Sequence, residues 1–183
     1  MERNHLGGTH TRRGLWKVAG LAAAVPIAAS PAFFANSAQA QQTGTWYNIK
    51  NRHSGLFLDI RDVSQANGAI LQQYYPNGQD NQAFQLVDSG GGYFRIQARH
   101  SMKVLDVYNW NAADGADIVQ WDNVNGTNQQ WQFQATSDGY YVIVNRFSGK
   151  ALDNWNFSTT AGTRISQYTV NRSAVQQWQL VPS

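Results

Sequence analysis

The sequence predicts an all-β fold made of three equal copies of one unit, and three observations point to it. The string NQQWQF from Asn128 returns as NQAFQL from Asn81 and VQQWQL from Val175, which sets Phe84, Trp131 and Trp178 47 residues apart. At that period YNIKNRHSGLFLDI from Tyr47, FRIQARHSMKVLDV from Phe94 and YVIVNRFSGKALDN from Tyr141 align without a gap. Helical periodicity is absent after residue 40, whereas short β-rich runs are frequent.

In chain order, the first forty residues stand outside the repeat. TRRGLWK, Thr11 to Lys17, precedes an Ala-rich apolar run and the small-x-small site Ala38-Gln39-Ala40. This predicts an export signal over residues 1–40, cut after Ala40. The pair Arg12-Arg13 is similar to a bacterial twin-arginine signal, with a general secretory signal as the alternative. A membrane anchor is disfavoured because the apolar stretch is short and interrupted by Gly and Pro. Either export route implies a secreted, extracellular protein.

Residues 41–183 then form one domain, long enough for a self-sufficient core. Within the second copy, YFRIQ, VLDV, DIVQW and WQFQ read as four strands, separated by clusters of Gly, Asn, Asp and Ser. Three copies give twelve strands. Further columns repeat with them: Arg52/Arg99/Arg146, Ser54/Ser101/Ser148, Leu58/Leu105/Leu152, Asp59/Asp106/Asp153, Gly68/Gly115/Gly162, Gln73/Gln120/Gln167 and Gln82/Gln129/Gln176. A propeller typically needs four or more blades, and a solenoid needs atypical end repeats. Three equal copies closing on each other leave no raw end, which predicts a β-trefoil with pseudo-threefold symmetry.

Charge narrows the function. The first forty residues hold four of the fourteen basic residues and one of the eleven acidic ones, so the remainder carries ten of each sign. A nucleic-acid surface needs clustered excess Lys and Arg, and these ten are scattered. The chain has no cysteine, so the expected fold does without disulfides.

With these residues in view, LDV…DGADIVQWDNVNGTNQQWQF resembles one subdomain of the ricin B-type lectins. It is especially similar to the carbohydrate-binding modules of that type in secreted bacterial glycosidases. The resemblance spans residues 43–183. The QxW signature stands as Gln129-Gln130-Trp131 and Gln176-Gln177-Trp178, and weakened as Gln82-Ala83-Phe84. Many family members bridge each subdomain with cysteines, and this chain does not. The resemblance implies that Phe84, Trp131 and Trp178 pack in the core and that the preceding Gln helps fix the local backbone.

The third strand of each copy, LQQY, IVQW or ISQY, locates candidate chemistry. Period-two alternation sets Leu71/Ile118/Ile165 and Gln73/Gln120/Gln167 on one face, Gln72/Val119/Ser166 and Tyr74/Trp121/Tyr168 on the other. The repeated Gln shares the aliphatic side, so it reads as a buried amide satisfying backbone groups. On the other face an aromatic can cover the apolar side of a sugar ring. Fifteen residues before each aromatic stands Asp59, Asp106 or Asp153, and seven after come Asn81 and Asn128. An ionised Asp accepts from two adjacent hydroxyls, and an Asn amide both donates and accepts.

By resemblance these groups form one sugar pocket per copy. The carbohydrate-binding candidates are Asp59, Gln72, Tyr74, Asn81 and Gln82 in the first copy and Asp106, Trp121, Asn128 and Gln129 in the second. The third offers Asp153, Tyr168 and Gln176, with Val175 in the Asn slot. Gln72 occupies a position where many family members place a sugar-contacting Gln. A capped turn or a packed aromatic is the bland reading of these columns, weightiest in the third copy.

Catalysis is not expected. A glycosidase normally uses two carboxyl groups in different protonation roles, and residues 41–183 contain no Glu. His53-Ser54 and His100-Ser101 suggest a triad, but the same column holds Phe147, so packing is the expected role. Two histidines in separate repeats make a poor metal site. The expected partners are glycans, bound by a monomer without cofactor, nucleic acid or membrane insertion after signal removal. A trefoil without sugar affinity, such as a secreted protease inhibitor or protein-interaction module, is the competing class.

Overall fold

A computed structural model describes residues 44–183 of the chain. The expected export signal, residues 1–40, lies outside them. The twelve predicted strands are present. The first copy contributes β1 (Trp46–Asn51), β2 (Phe57–Ile60), β3 (Leu71–Tyr74) and β4 (Phe84–Asp88). The second contributes β5 (Phe94–Ala98), β6 (Val104–Val107), β7 (Ile118–Trp121) and β8 (Trp131–Ala135). The third contributes β9 (Tyr141–Asn145), β10 (Ala151–Asn154), β11 (Ile165–Tyr168) and β12 (Gln177–Pro182).

The pairing closes a barrel. Antiparallel ladders run from β1 to β4, β5, β8, β9, β12 and back to β1, so the six-stranded ring has no open edge. The remaining strands form three hairpins, β2–β3, β6–β7 and β10–β11, that cap one end. Isolated bridges Ile70 to Val119, Gln72 to Arg164 and Asp117 to Ser166 join the hairpins to one another. This is the β-trefoil that the period predicted.

The core inherits the threefold order. Ile49/Ile96/Ile143, Leu58/Leu105/Leu152, Leu71/Ile118/Ile165 and Phe84/Trp131/Trp178 are all fully buried. A buried indole N–H needs an acceptor. Trp131 Nε1 donates to the Leu105 carbonyl at 3.2 Å and Trp178 Nε1 to that of Leu152 at 3.0 Å. Phe84 has no polar side-chain atom, so in the first copy the ring itself needs no acceptor.

Polar columns stitch one repeat to the next. Gln120 Nε2 donates to the Ser64 and Ala66 carbonyls at 2.7 and 3.0 Å. Gln167 does the same to Asn111 and Ala113, and Gln73 to Ser158 and Thr160. Each amide therefore holds a loop of the preceding repeat, and the first repeat holds the third. The same loops contain Gly68, Gly115 and Gly162 at φ 84°, 80° and 85°, a left-handed conformation that favours glycine. The Arg column stacks across repeats too, Arg52 over Tyr140, Arg99 over Trp46 and Arg146 over Tyr93, at 4.6, 5.5 and 4.6 Å.

Candidate functional site

Each capping hairpin brings an Asp and an aromatic onto one face. Asp59 pairs across its ladder with Gln72, Asp106 with Val119 and Asp153 with Ser166. The aromatics Tyr74, Trp121 and Tyr168 lie two residues beyond those partners, hence on the same side. This face is less open than alternation suggested, because Gln72, Val119 and Ser166 are buried. The reason is the hairpin-to-hairpin bridging round the axis, which covers both faces of the third strand until its last residue.

A short 3₁₀ turn before the last strand of each repeat supplies another wall. Asp80–Gln82, Thr127–Gln129 and Ala174–Gln176 place Asn81, Asn128 and Val175 beside the carboxylates. The cavities so formed measure about 230 Å³ in the first repeat, 190 Å³ in the second and 270 Å³ in the third. Asp59, Gln72, Tyr74 and Asn81 line the first. Asp106, Trp121 and Asn128 line the second, and Asp153, Tyr168 and Val175 the third.

The three remaining candidates, Gln82, Gln129 and Gln176, are not on those walls but behind the carboxylates. Their Nε2 atoms donate to the Oδ2 atoms of Asp59, Asp106 and Asp153 at 2.9, 2.8 and 3.0 Å. They also donate to the Tyr75, Asp122 and Thr169 carbonyls, and their Oε1 atoms accept from the Asn77, Val124 and Asn171 amides. One glutamine thus locks a turn and orients a carboxylate. In this geometry it is a positioning residue.

The carboxylates differ in the acceptor capacity they leave open. Asp59 receives Gln72 on Oδ1 at 2.9 Å, and Asn81 and Gln82 on Oδ2 at 2.8 and 2.9 Å. Gln129 donates to Asp106 Oδ2, with the Asn128 amide a second favourable neighbour of that carboxylate, and Gln176 donates to Asp153 Oδ2. The Oδ1 atoms of these two carboxylates are open to a ligand, whereas the Oδ1 of Asn128 is buried without a partner. All three carboxylates are nearly buried, at 2, 5 and 6% exposure. Burial raises each above the ordinary carboxylate range, and the amide donors only partly offset this.

One wall was missed from the sequence. The turns after β2, β6 and β10 place Asp62 and Val63, Tyr108, Asn109 and Trp110, and Trp155, Asn156 and Phe157 in the cavities. Six of these residues have left-handed backbones: Asp62 and Val63, Asn109 and Trp110, Asn156 and Phe157, with φ between 50° and 59°. Such strain costs about 1–3 kcal/mol per residue and concentrates at binding sites. In the second and third cavities it presents aromatic rings: Tyr108 lies 6.0 Å from Trp121 and Trp155 6.4 Å from Tyr168, both tilted. The signal was available, since aromatics flank Asn109 and Asn156 at the repeat period.

The histidine column packs against this wall. His53 meets Phe157 edge-on at 6.0 Å, Phe147 meets Trp110 at 5.0 Å, and a His100 ring nitrogen is 2.9 Å from the Ser64 carbonyl. Ser101 Oγ donates to Gln120 Oε1, not to a histidine. Among the described residues no group of three His, Asp, Glu or Cys side chains could hold a metal, and no helix is long and apolar enough to cross a membrane.

Comparison with known proteins gives a consistent family. The family described as ricin-type beta-trefoil lectin domain-like matches residues 33–121 and 127–183. ThreeFoil, a designed threefold symmetric protein, is 46% identical over 75% of this chain and 99% of its own, with a TM-score of 0.74. An exo-beta-1,3-galactanase from Clostridium thermocellum is 38% identical over 76% of this chain, with a TM-score of 0.75, and the match spans 30% of the galactanase. The clotting factor G alpha subunit of Tachypleus tridentatus is 46% identical over 41 residues, 22% of this chain and 6% of that protein.

Proposed function

The chain belongs to the ricin-type beta-trefoil lectin domain-like family, and on that premise we propose that it is a secreted carbohydrate-binding protein. It takes galactose-, xylose- or related glycans in up to three shallow pockets, one per repeat. The observation that supports this most is the second cavity. There a nearly buried carboxylate with an open Oδ1 shares the cavity with Trp121 and Asn128. An open carboxylate oxygen near an aromatic face suits a sugar whose hydroxyl donates to it while the apolar side of the ring is covered. The similarity to part of a beta-1,3-galactanase makes galactans a first choice of ligand.

The reading is of a binding protein rather than an enzyme. Asp59, Asp106 and Asp153 occupy three separate cavities. Asp59 shares its cavity with Asp62, but both Asp59 oxygens accept amide donors, a poor arrangement for giving or taking a proton.

A glycan array on the purified chain tests the proposal, followed by titration of a monosaccharide and of a polymer bearing the same sugar. Linked weak sites raise effective concentration, so the polymer binds more tightly than the monosaccharide. Binding to no glycan at millimolar concentration overturns the carbohydrate reading. Equal affinity for both forms overturns the claim of more than one working pocket.

A further inference from the structure

The three cavities share one plan, but two of its positions exchange amide for valine. At the exposed rim stand Asn77, Val124 and Asn171 in chain order; at the buried floor stand Asn81, Asn128 and Val175. The second cavity therefore has an apolar rim and a polar floor, and the third the reverse. Val124 is 66% exposed, whereas Val175 is 2% exposed.

The third cavity is also the largest of the three, and its apolar surface is held in place. Arg164 lies over the Trp155 ring at 4.7 Å and is fixed by the Gly115 carbonyl and the Asp117 carboxylate. A β-carbon at Gly115 would come within 2.5 Å of Trp155, so the glycine allows the ring its seat. Phe157, large and well exposed, adds to the same wall. Asp153 keeps Oδ1 open, with Gln176 on Oδ2.

We propose that the third pocket selects a sugar bearing a methyl-terminated substituent, which packs on Val175, Trp155 and Phe157 while a neighbouring O–H or N–H donates to Asp153. This rests on the carbohydrate reading above. A bare hydroxyl at the floor is desolvated against Val175 without a partner, whereas a methyl group loses only unfavourable contact with water. Two sugar chemistries present such a methyl: the 2-acetamido group, whose N–H is also a donor, and C6 of a 6-deoxy sugar.

The test uses the full chain carrying Tyr74→Ala and Trp121→Ala, which disable the first two pockets at partly exposed positions. Galactose and glucose, their 2-acetamido derivatives and their 6-deoxy derivatives are titrated, with thermal melting as the folding control. At least one methyl-bearing series binds about fourfold or more tightly than its parent hexose, the ratio that burial of one methyl group converts to. The two series separate the acetamido from the deoxy chemistry. Val175→Asn abolishes the preference, and Val175→Thr, which keeps the shape and adds a hydroxyl, weakens it if the Asn variant fails to fold. Equal binding of hexose and derivatives, or a preference unchanged in both Val175 variants, overturns the proposal. If the double variant binds no sugar while the parent does, this proposal fails and the carbohydrate reading stands. A parent that binds no sugar overturns both.

Discussion

Trp121→Ala and Trp131→Ala remove the same side chain from strands consecutive in the chain, with opposite expected consequences. Trp131 is fully buried among the core residues, and its Nε1 satisfies the Leu105 carbonyl. Truncating a core Trp costs about 3–5 kcal/mol. For a domain of this size each kcal/mol lowers Tm by about 3 °C, so melting falls by roughly 10–15 °C. Trp121 is only half-buried and lines the second cavity. Its loss costs about 2 kcal/mol of stability or less, since part of the ring is already in water. Losing one stacking aromatic weakens ligand contact by about 1–3 kcal/mol, by analogy with base–aromatic stacking. That is roughly 5- to 150-fold in Kd at the second pocket. Calorimetric titration with a monosaccharide, which linked sites cannot mask, then shows one site fewer or one site weakened. Tyr168→Ala lowers affinity by less, because its ring offers a smaller stacking face. If Trp121→Ala collapses the fold while Trp131→Ala removes only binding, the core and pocket roles of these two residues have been assigned the wrong way round.

Three further outcomes follow from the same geometry. Burial raises the folded-state pKa of Asp59, Asp106 and Asp153 above their unfolded value near 3.8, so their contribution to stability is present below that pH and lost as pH rises through the raised values. Sugar binding needs the ionised form and changes the other way. Titration between pH 3 and 7 with circular dichroism in parallel should show affinity falling from a pH above 3.8 while the fold persists, and constant affinity down to 3.8 refutes the role of these carboxylates. Gln120→Leu leaves the Ala66 carbonyl without this donor and the Ser64 carbonyl with His100 alone, and lowers stability by about 1–3 kcal/mol by denaturant melting; a loss under about 0.5 kcal/mol means the latch is not needed for closure. Replacing Arg12 and Arg13 with Lys retains the precursor inside the cell if export follows the twin-arginine route, and normal secretion of that variant points to the general pathway.

The fold was legible because its determinants repeat. A column such as Leu71/Ile118/Ile165 or Phe84/Trp131/Trp178 is one packing solution written three times, and a period of 47 with no gap leaves closure as the way to bury every copy equally. The repeated Gln was readable for the same reason: an amide on an aliphatic face must find partners, and it finds loop carbonyls of the neighbouring repeat. The pocket was only half legible because its function lies in departures from the repeat. Asp and aromatic sit on strands, where alternation assigns the side. The opposing wall sits on a turn whose left-handed pair is not encoded by periodicity. Val63 and Trp110 are residues that no propensity rule would put at positive φ. Nor does the column Asn81/Asn128/Val175 announce its meaning on its own. Val175 looked like a lost ligand in the sequence. Beside Asn171 at the rim and Phe157 on the wall it becomes one half of an exchange of polarity, visible only once these residues share a cavity. Symmetry thus builds the scaffold, and the places where the three copies disagree give each cavity its own chemistry.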